Sequence, residues 1–283
     1  MKLIGPLVVV AVAAVQAVVV MFAFGAAAIA LAVAAATLVT GGALLLAHRR
    51  GQRAWEVDQQ QRIEQAAAGR VRTRESLILA LARLAESRDD DTGEHVDRIV
   101  DYVDILAGEL KRRGQLPAQV RPQHLRLAAA LHDVGKLAIP DEILLKPGML
   151  SDPQRVTMQQ HTLIGDRMLE QLDFDIEDDL LITTMRQLVR SHHERWDGGG
   201  YPDGLSGRRI PLPARIMAVA DVYDALTSRR VYKLAMTHEQ AWRIITEASG
   251  TQFDPLVVEA FKTRNEAFAR ISQTQPILQN QPA

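Results

Sequence analysis

Two adjacent histidines, His192 and His193, open the segment Ser-His-His-Glu-Arg-Trp-Asp-Gly-Gly-Gly-Tyr-Pro at residues 191–202. Neighbouring imidazoles make poor core material, because each ring carries two polar nitrogens that need partners once buried. The glycines at 198–200 remove side chains and permit positive φ, so the backbone can approach something closely. A metal ion beside a phosphate-facing loop would use both features. A second pair, His132-Asp133, ends an alanine-rich apolar helix. Burying a carboxylate without a partner is costly, and a cation shared by the pair would remove that cost; a buried ion pair with a neighbouring Lys or Arg would also do so. Lys136, just beyond Gly135, is a point charge suited to phosphate. Asp221 lies among Val219, Ala220 and Val222 and is another carboxylate that a metal could draw inward. His95 and His161 are ambiguous when taken singly. His48, His124 and His238 have no matching partners and read as structural.

The chain of 283 residues contains no cysteine, so any metal must be held by nitrogen and oxygen ligands. A formal net charge of -1 argues against nucleic acid as the main partner.

The elements that must position these groups are helices. Leu77, Ile78, Leu81 and Leu84 form a helical stripe expected to face a core. Thr92 is a candidate cap for a helix through Val96, Ile99, Val103 and Leu106; a start one turn earlier sets Asp91 and His95 four apart on one face. Further helices are expected from 125 to 131, from Pro153 onward through His161 and Leu172, from 180 to 189, and from 215 to 226. Thr237 and Gln240 form a capping box, and Asp254-Pro255 opens a last helix through Phe261. No segment alternates with period two, so the predicted fold class is all-α.

Residues 3–47 carry no charge. One bilayer crossing takes about 20 apolar residues, so this run predicts two transmembrane helices joined by a tight turn at Phe24-Gly25. A signal peptide has a much shorter apolar core, about 7–15 residues, and a single tilted span with an unusual flank is the remaining alternative. Lys2 on one flank and His48, Arg49, Arg50 and Arg53 on the other set both ends on the cytoplasmic side. The expected organisation is a transmembrane hairpin at 1–48, a helical linker at 49–75, a catalytic domain at 76–271 and a disordered tail at 272–283.

His95, His132-Asp133, His161, His192-His193 and Asp221, in this order, resemble the HD superfamily of metal-dependent phosphohydrolases. The run from His193 through Glu194, Arg195, Asp197, Gly198, Gly200 and Tyr201 to Pro202 resembles its HD-GYP subfamily. The resemblance implies an HD-domain-like helical bundle and hydrolysis of cyclic di-GMP to pGpG and then GMP, at the bacterial cytoplasmic (inner) membrane with the catalytic domain in the cytoplasm. It implies metal ligation by His95, His132, Asp133, His161, His192, His193 and Asp221, with Asp133 bridging two divalent ions, iron or manganese favoured. It assigns catalytic roles to His132, Asp133 and Lys136, and substrate contacts to Lys136, Gly200, Tyr201, Arg230 and Lys233. Asp91 stands where members with three metals have Glu; being one methylene shorter, it disfavours a third ion. Cyclic di-GMP is the expected partner, and a homodimer is a further one. Two alternatives stay open: hydrolysis of another cyclic nucleotide or dinucleotide, or a silent receptor for cyclic di-GMP.

Overall fold

A computed structural model describes residues 4–88, 94–171, 179–228 and 235–273. The chain divides into two compact units, Met1–Arg72 and Thr73–Ala283. The first holds α1 (Ile4–Phe24) and most of α2 (Ala26–Glu86). Gly25, at φ 78°, separates the two, which is the turn the sequence predicts. Among the described residues one helix, within Ala27–Ala66, is long and apolar enough to cross a membrane; Val8–Ala23 is a shorter apolar helix. The linker residues are helical as expected, but α2 is one unbroken helix of 61 residues, with no break at 48 or 75.

The second unit is a helical bundle: α3 (Glu94–Arg112), α4 (Pro122–Ala130), α5 (Asp141–Leu144), α6 (Asp152–Gln159), α7 (His161–Glu170), α8 (Asp179–Ser191), α9 (Leu212–Thr227), α10 (His238–Glu247), α11 (Pro255–Thr263) and α12 (Asn265–Gln273). No strand forms among the described residues beyond an isolated bridge between Ser249 and Phe253. The apolar face of α3, with Val96, Ile99, Val103, Leu106 and Leu110 all buried, packs on α4 and α9. Helix α8 lies against α4, α7 and α9. Tyr102 stacks on Phe268 at 4.6 Å between ring centres, and Tyr223 and Phe261 meet Phe268 edge-on. Glu109, fully buried on α3, receives hydrogen bonds from Arg112, Arg113 and Arg264 at 2.6–3.0 Å. These guanidinium bonds hold its carboxyl at about 2, against burial.

Three expectations need correction. Leu77, Leu81 and Leu84 are 59–66% exposed; the buried face of this part of α2 is Ile78, Ala82 and Glu86. Leucines at 77, 81 and 84 and the row at 78, 82 and 86 have the same helical period, and packing selects the second. The helix begun at Pro153 is two helices, α6 and α7, meeting at Gln160. The helix opened by Asp254 is not the last: α12 follows, anchored by Phe268, and covers 272 and 273 of the expected tail. Residues 274–283 lie outside the described residues.

Candidate metal centre

The ends of helices carry the site. His132 follows α4, His161 starts α7 where α6 ends, and His192 follows α8. A helix C-terminus leaves carbonyl oxygens without intrahelical partners. Each of these rings uses one: Nδ1 of His132 lies 2.9 Å from the Ala129 carbonyl, Nδ1 of His161 2.8 Å from that of Met158, and Nδ1 of His192 2.9 Å from that of Val189. A carbonyl only accepts, so in the neutral ring Nδ1 carries the proton and Nε2 keeps the lone pair that a metal would use. His95, near the start of α3, obtains the same outcome from a side chain, with Nδ1 2.7 Å from Oδ2 of Asp224. Arg98 donates to both oxygens of Asp224 at 2.6 and 3.1 Å, and holds that carboxylate in place.

The free nitrogens converge on Asp133. His161 Nε2 lies 3.2 Å and His192 Nε2 3.7 Å from Oδ1, while His132 Nε2 lies 3.1 Å from Oδ2. Within 4.8 Å of one another, ligand atoms come together in three groups among the described residues: Asp133, His161, His192 and His193; His95, His132 and Asp221; and Glu86, His95 and Asp133. All seven metal candidates of the sequence are therefore in these clusters. Asp91, Arg230 and Lys233 lie outside the described residues. His124 and His238 are outside the clusters, His238 bonding the Tyr223 hydroxyl at 2.8 Å.

The donor set fits a cation. His132 Nε2 and Asp133 Oδ1 are buried without a hydrogen-bond partner, a costly state in a dry interior. Burial pulls His132 down, but the Asp133, Asp221 and Glu86 carboxylates outweigh it and raise the ring to about 9, so without an ion a proton takes the Nε2 position that a cation would displace. The site therefore draws positive charge to this point. Burial lowers His161 to about 4 and His193 well below its usual range, so both are neutral at pH 7, as a ligand must be. Burial would raise the Asp133 carboxyl, yet His132 and Lys136 hold it well below the carboxylate range.

Glycine makes the approach of two chain segments possible. A Cβ on Gly135 would overlap the His161 carbonyl oxygen and lie 2.6 Å from the Gly165 nitrogen. The 3₁₀ turn Val134–Ala138, which follows Asp133, can thus lie directly against the start of α7. Lys136, in that turn, bonds Oδ2 of Asp133 at 2.8 Å.

The 191–202 loop folds over His193. Gly198 sits at φ 86°, and a Cβ on Gly200 would stand 2.5 Å from Glu194 Cα and 2.6 Å from the His193 carbonyl. Glu194 is buried and holds the loop, accepting the N–H groups of Asp203 and Leu205 at 2.8 and 3.0 Å. Arg190 pairs with both oxygens of Asp203 at 2.8 Å and with Asp166 at 3.0 Å. Tyr201, joined to Pro202 by a cis peptide, lays its ring 4.8 Å from that of His193. Asp224, Glu86 and the Arg190–Asp203 pair were not read from the sequence. Asp224 follows Asp221 by three positions on α9, and Glu86 continues the row of Ile78 and Ala82, so both spacings were present.

Fold and site together define a helical protein built around a buried imidazole–carboxylate centre. The HD domain family matches residues 79–257, and the chain belongs to that family. A probable cyclic di-GMP phosphodiesterase of Vibrio cholerae is 46% identical over 207 residues, 71% of this chain and 47% of that protein. A cyclic di-GMP phosphodiesterase of the same organism is 45% identical over 203 residues, 71% of this chain and 41% of that protein. A 3'3'-cGAMP-specific phosphodiesterase of that species is 37% identical over 204 residues, 72% and 37% of the two chains. The chain thus spans less than half the length of these relatives.

Proposed function

We propose that the chain is a membrane-anchored, metal-dependent phosphodiesterase of the HD-GYP type that hydrolyses cyclic di-GMP to pGpG and then GMP. The observation that carries this reading is the convergence of His132, His161 and His192, each turning Nε2 inward, on the two oxygens of Asp133. His95, His132 and Asp221 would hold one divalent ion, and His161, His192 and His193 a second, with Asp133 shared between them. The all-N/O donor set suits iron or manganese. Such ions would supply Lewis acidity and a nucleophilic water at neutral pH.

The chain's own groups bind and orient. Lys136 sets a positive charge on the Asp133 side of the site, where a phosphate oxygen would arrive. Burial raises the Tyr201 phenol, so it remains a hydrogen-bond donor beside His193. Gly200 keeps the Tyr201 loop close to the His193 backbone. Arg230 and Lys233 are assigned to the ligand's phosphates. The uncharged run at 3–47 with basic flanks supports anchoring in the bacterial inner membrane, the catalytic unit being cytoplasmic. The organisation proposed is a membrane hairpin to about residue 48, a helical linker and a catalytic domain from about residue 76.

The test is turnover of cyclic di-GMP by the purified chain, with products resolved by chromatography and metal measured per chain. The His132→Ala, Asp133→Ala double variant should lose both metal and turnover; full activity in it refutes the assignment. The likeness to a 3'3'-cGAMP-specific enzyme favours one second reading, the mixed dinucleotide as substrate. A substrate panel on the same protein separates the two.

A further inference from the structure

The 3₁₀ turn that carries Lys136 ends at Ala138. Such a turn passes each carbonyl to the N–H three residues on, and for Leu137 that residue is Pro140, which has none. Arg88, just beyond the end of α2, supplies the missing donor: its Nη1 donates to the Leu137 carbonyl at 2.6 Å. Its Nη2 donates to Oδ1 of Asp141, the first residue of α5, at 2.5 Å. One planar guanidinium thus joins the end of the Lys136 turn to the start of the next helix, a fork that a single ammonium cannot reproduce. On its other side the turn is fixed by Gly135, which lies directly against the His161 carbonyl.

The side chains of Arg88 and Asp141 are 35% and 68% exposed, so their ion pair contributes little to stability. Its effect is on geometry. Lys136 lies one residue before the clamped carbonyl, and its Nζ bonds Oδ2 of Asp133 at 2.8 Å. A lysine carries its charge on a flexible stem, so the backbone it leaves from decides where that charge can stand. A misplacement of about 1 Å can cost about 100-fold in rate. We infer that Arg88 is a positioning residue for Lys136: by bridging the Leu137 carbonyl and Asp141 it holds the backbone from which Lys136 meets a substrate phosphate. This rests on the phosphodiesterase reading above and adds to it a residue that acts through Lys136.

The experiment uses the purified full-length chain. Arg88→Ala should leave thermal stability and Mn2+ bound per chain close to wild type. Hydrogen exchange in the peptide spanning 134–141 should quicken by at least about tenfold, because the turn has lost its outer bond. The kcat/KM for cyclic di-GMP should fall about tenfold. The same substitution placed in Lys136→Ala should cost nothing further, since two changes that act through one side chain do not add. Arg88→Lys keeps the charge without the fork and should give smaller changes in exchange and turnover; it carries the test if the alanine variant fails to fold. Equal losses in the two backgrounds would mean that Arg88 acts without Lys136, and would overturn the inference. Unchanged exchange, or loss of Mn2+, would overturn it as well. Absence of turnover by the wild-type chain overturns the phosphodiesterase reading, and the exchange measurement then still decides whether Arg88 holds the turn.

Discussion

The Nδ1 of His95 on α3 lies 2.7 Å from Oδ2 of Asp224 on α9, two residues 129 positions apart in the chain. The contact fixes the tautomer of a ring whose other nitrogen faces Glu86. Asp224 also takes Arg98, and through His95 and Arg98 its carboxyl is held at about 2 despite burial. Asp224→Asn should lower metal affinity by about 10- to 100-fold although Asp224 is not itself among the ion's ligands, because it orients the His95 ring. Mn2+ titration of the stripped protein checks it, with unchanged affinity as the contrary result.

Gly135→Ala should disturb the site from beneath. The new methyl would overlap the His161 carbonyl, a backbone atom that cannot rotate away. The cost should lie at or above the upper end of the ~1–3 kcal/mol usual for overpacking. Urea denaturation at neutral pH measures it, and metal content should fall with the displacement of α7. A variant as stable as wild type would mean the 3₁₀ turn has more room than the structure gives it.

Arg190→Ala should act on the loop and not on the ions. It frees Asp203 and half of Asp166, so the segment bearing Tyr201 loses its brace. A fall of about 10- to 100-fold in kcat/KM for cyclic di-GMP is expected, with metal per chain unchanged. Loss of metal in this variant would contradict the division of labour proposed between loop and ion ligands.

Glu109 should contribute to acid sensitivity. Its folded carboxyl, at about 2, lies below the ordinary 4.5 because Arg112, Arg113 and Arg264 bond it. A depressed folded value gives stability that is complete above 4.5 and is lost as pH falls towards about 2. Glu109→Gln should therefore be less stable at pH 7 and show a shallower decline across that window. Parallel slopes of the two proteins, read by thermal unfolding against pH, would remove Glu109 from the account.

Much of the molecule was legible because its signals are local. The capping box at Thr237 and Gln240 forms as spacing predicts, with the Gln240 N–H 3.3 Å from the Thr237 hydroxyl oxygen. Gly25 breaks the apolar run at the expected place. The His and Asp residues that cluster were recognisable by order along the chain. What spacing could not reveal was orientation. Leu77, Leu81 and Leu84 form as regular a row as Ile78, Ala82 and Glu86, and only tertiary packing decides which row faces inward. The break at Gln160 has no proline or glycine to announce it. Asp224 had been visible on α9, but its use depends on a histidine on another helix.

The rings of His132, His161 and His192 are each held by a peptide carbonyl three positions earlier. Peptide groups persist whatever residue occupies 129, 158 or 189, so no single codon change there can abolish the acceptor that sets those tautomers. His95 leans on a side chain instead, and one base change at Asp224 can take its partner away. Genetic drift should therefore wear this centre down from the His95 side first, and a lineage losing its metal chemistry should show that scar before any other.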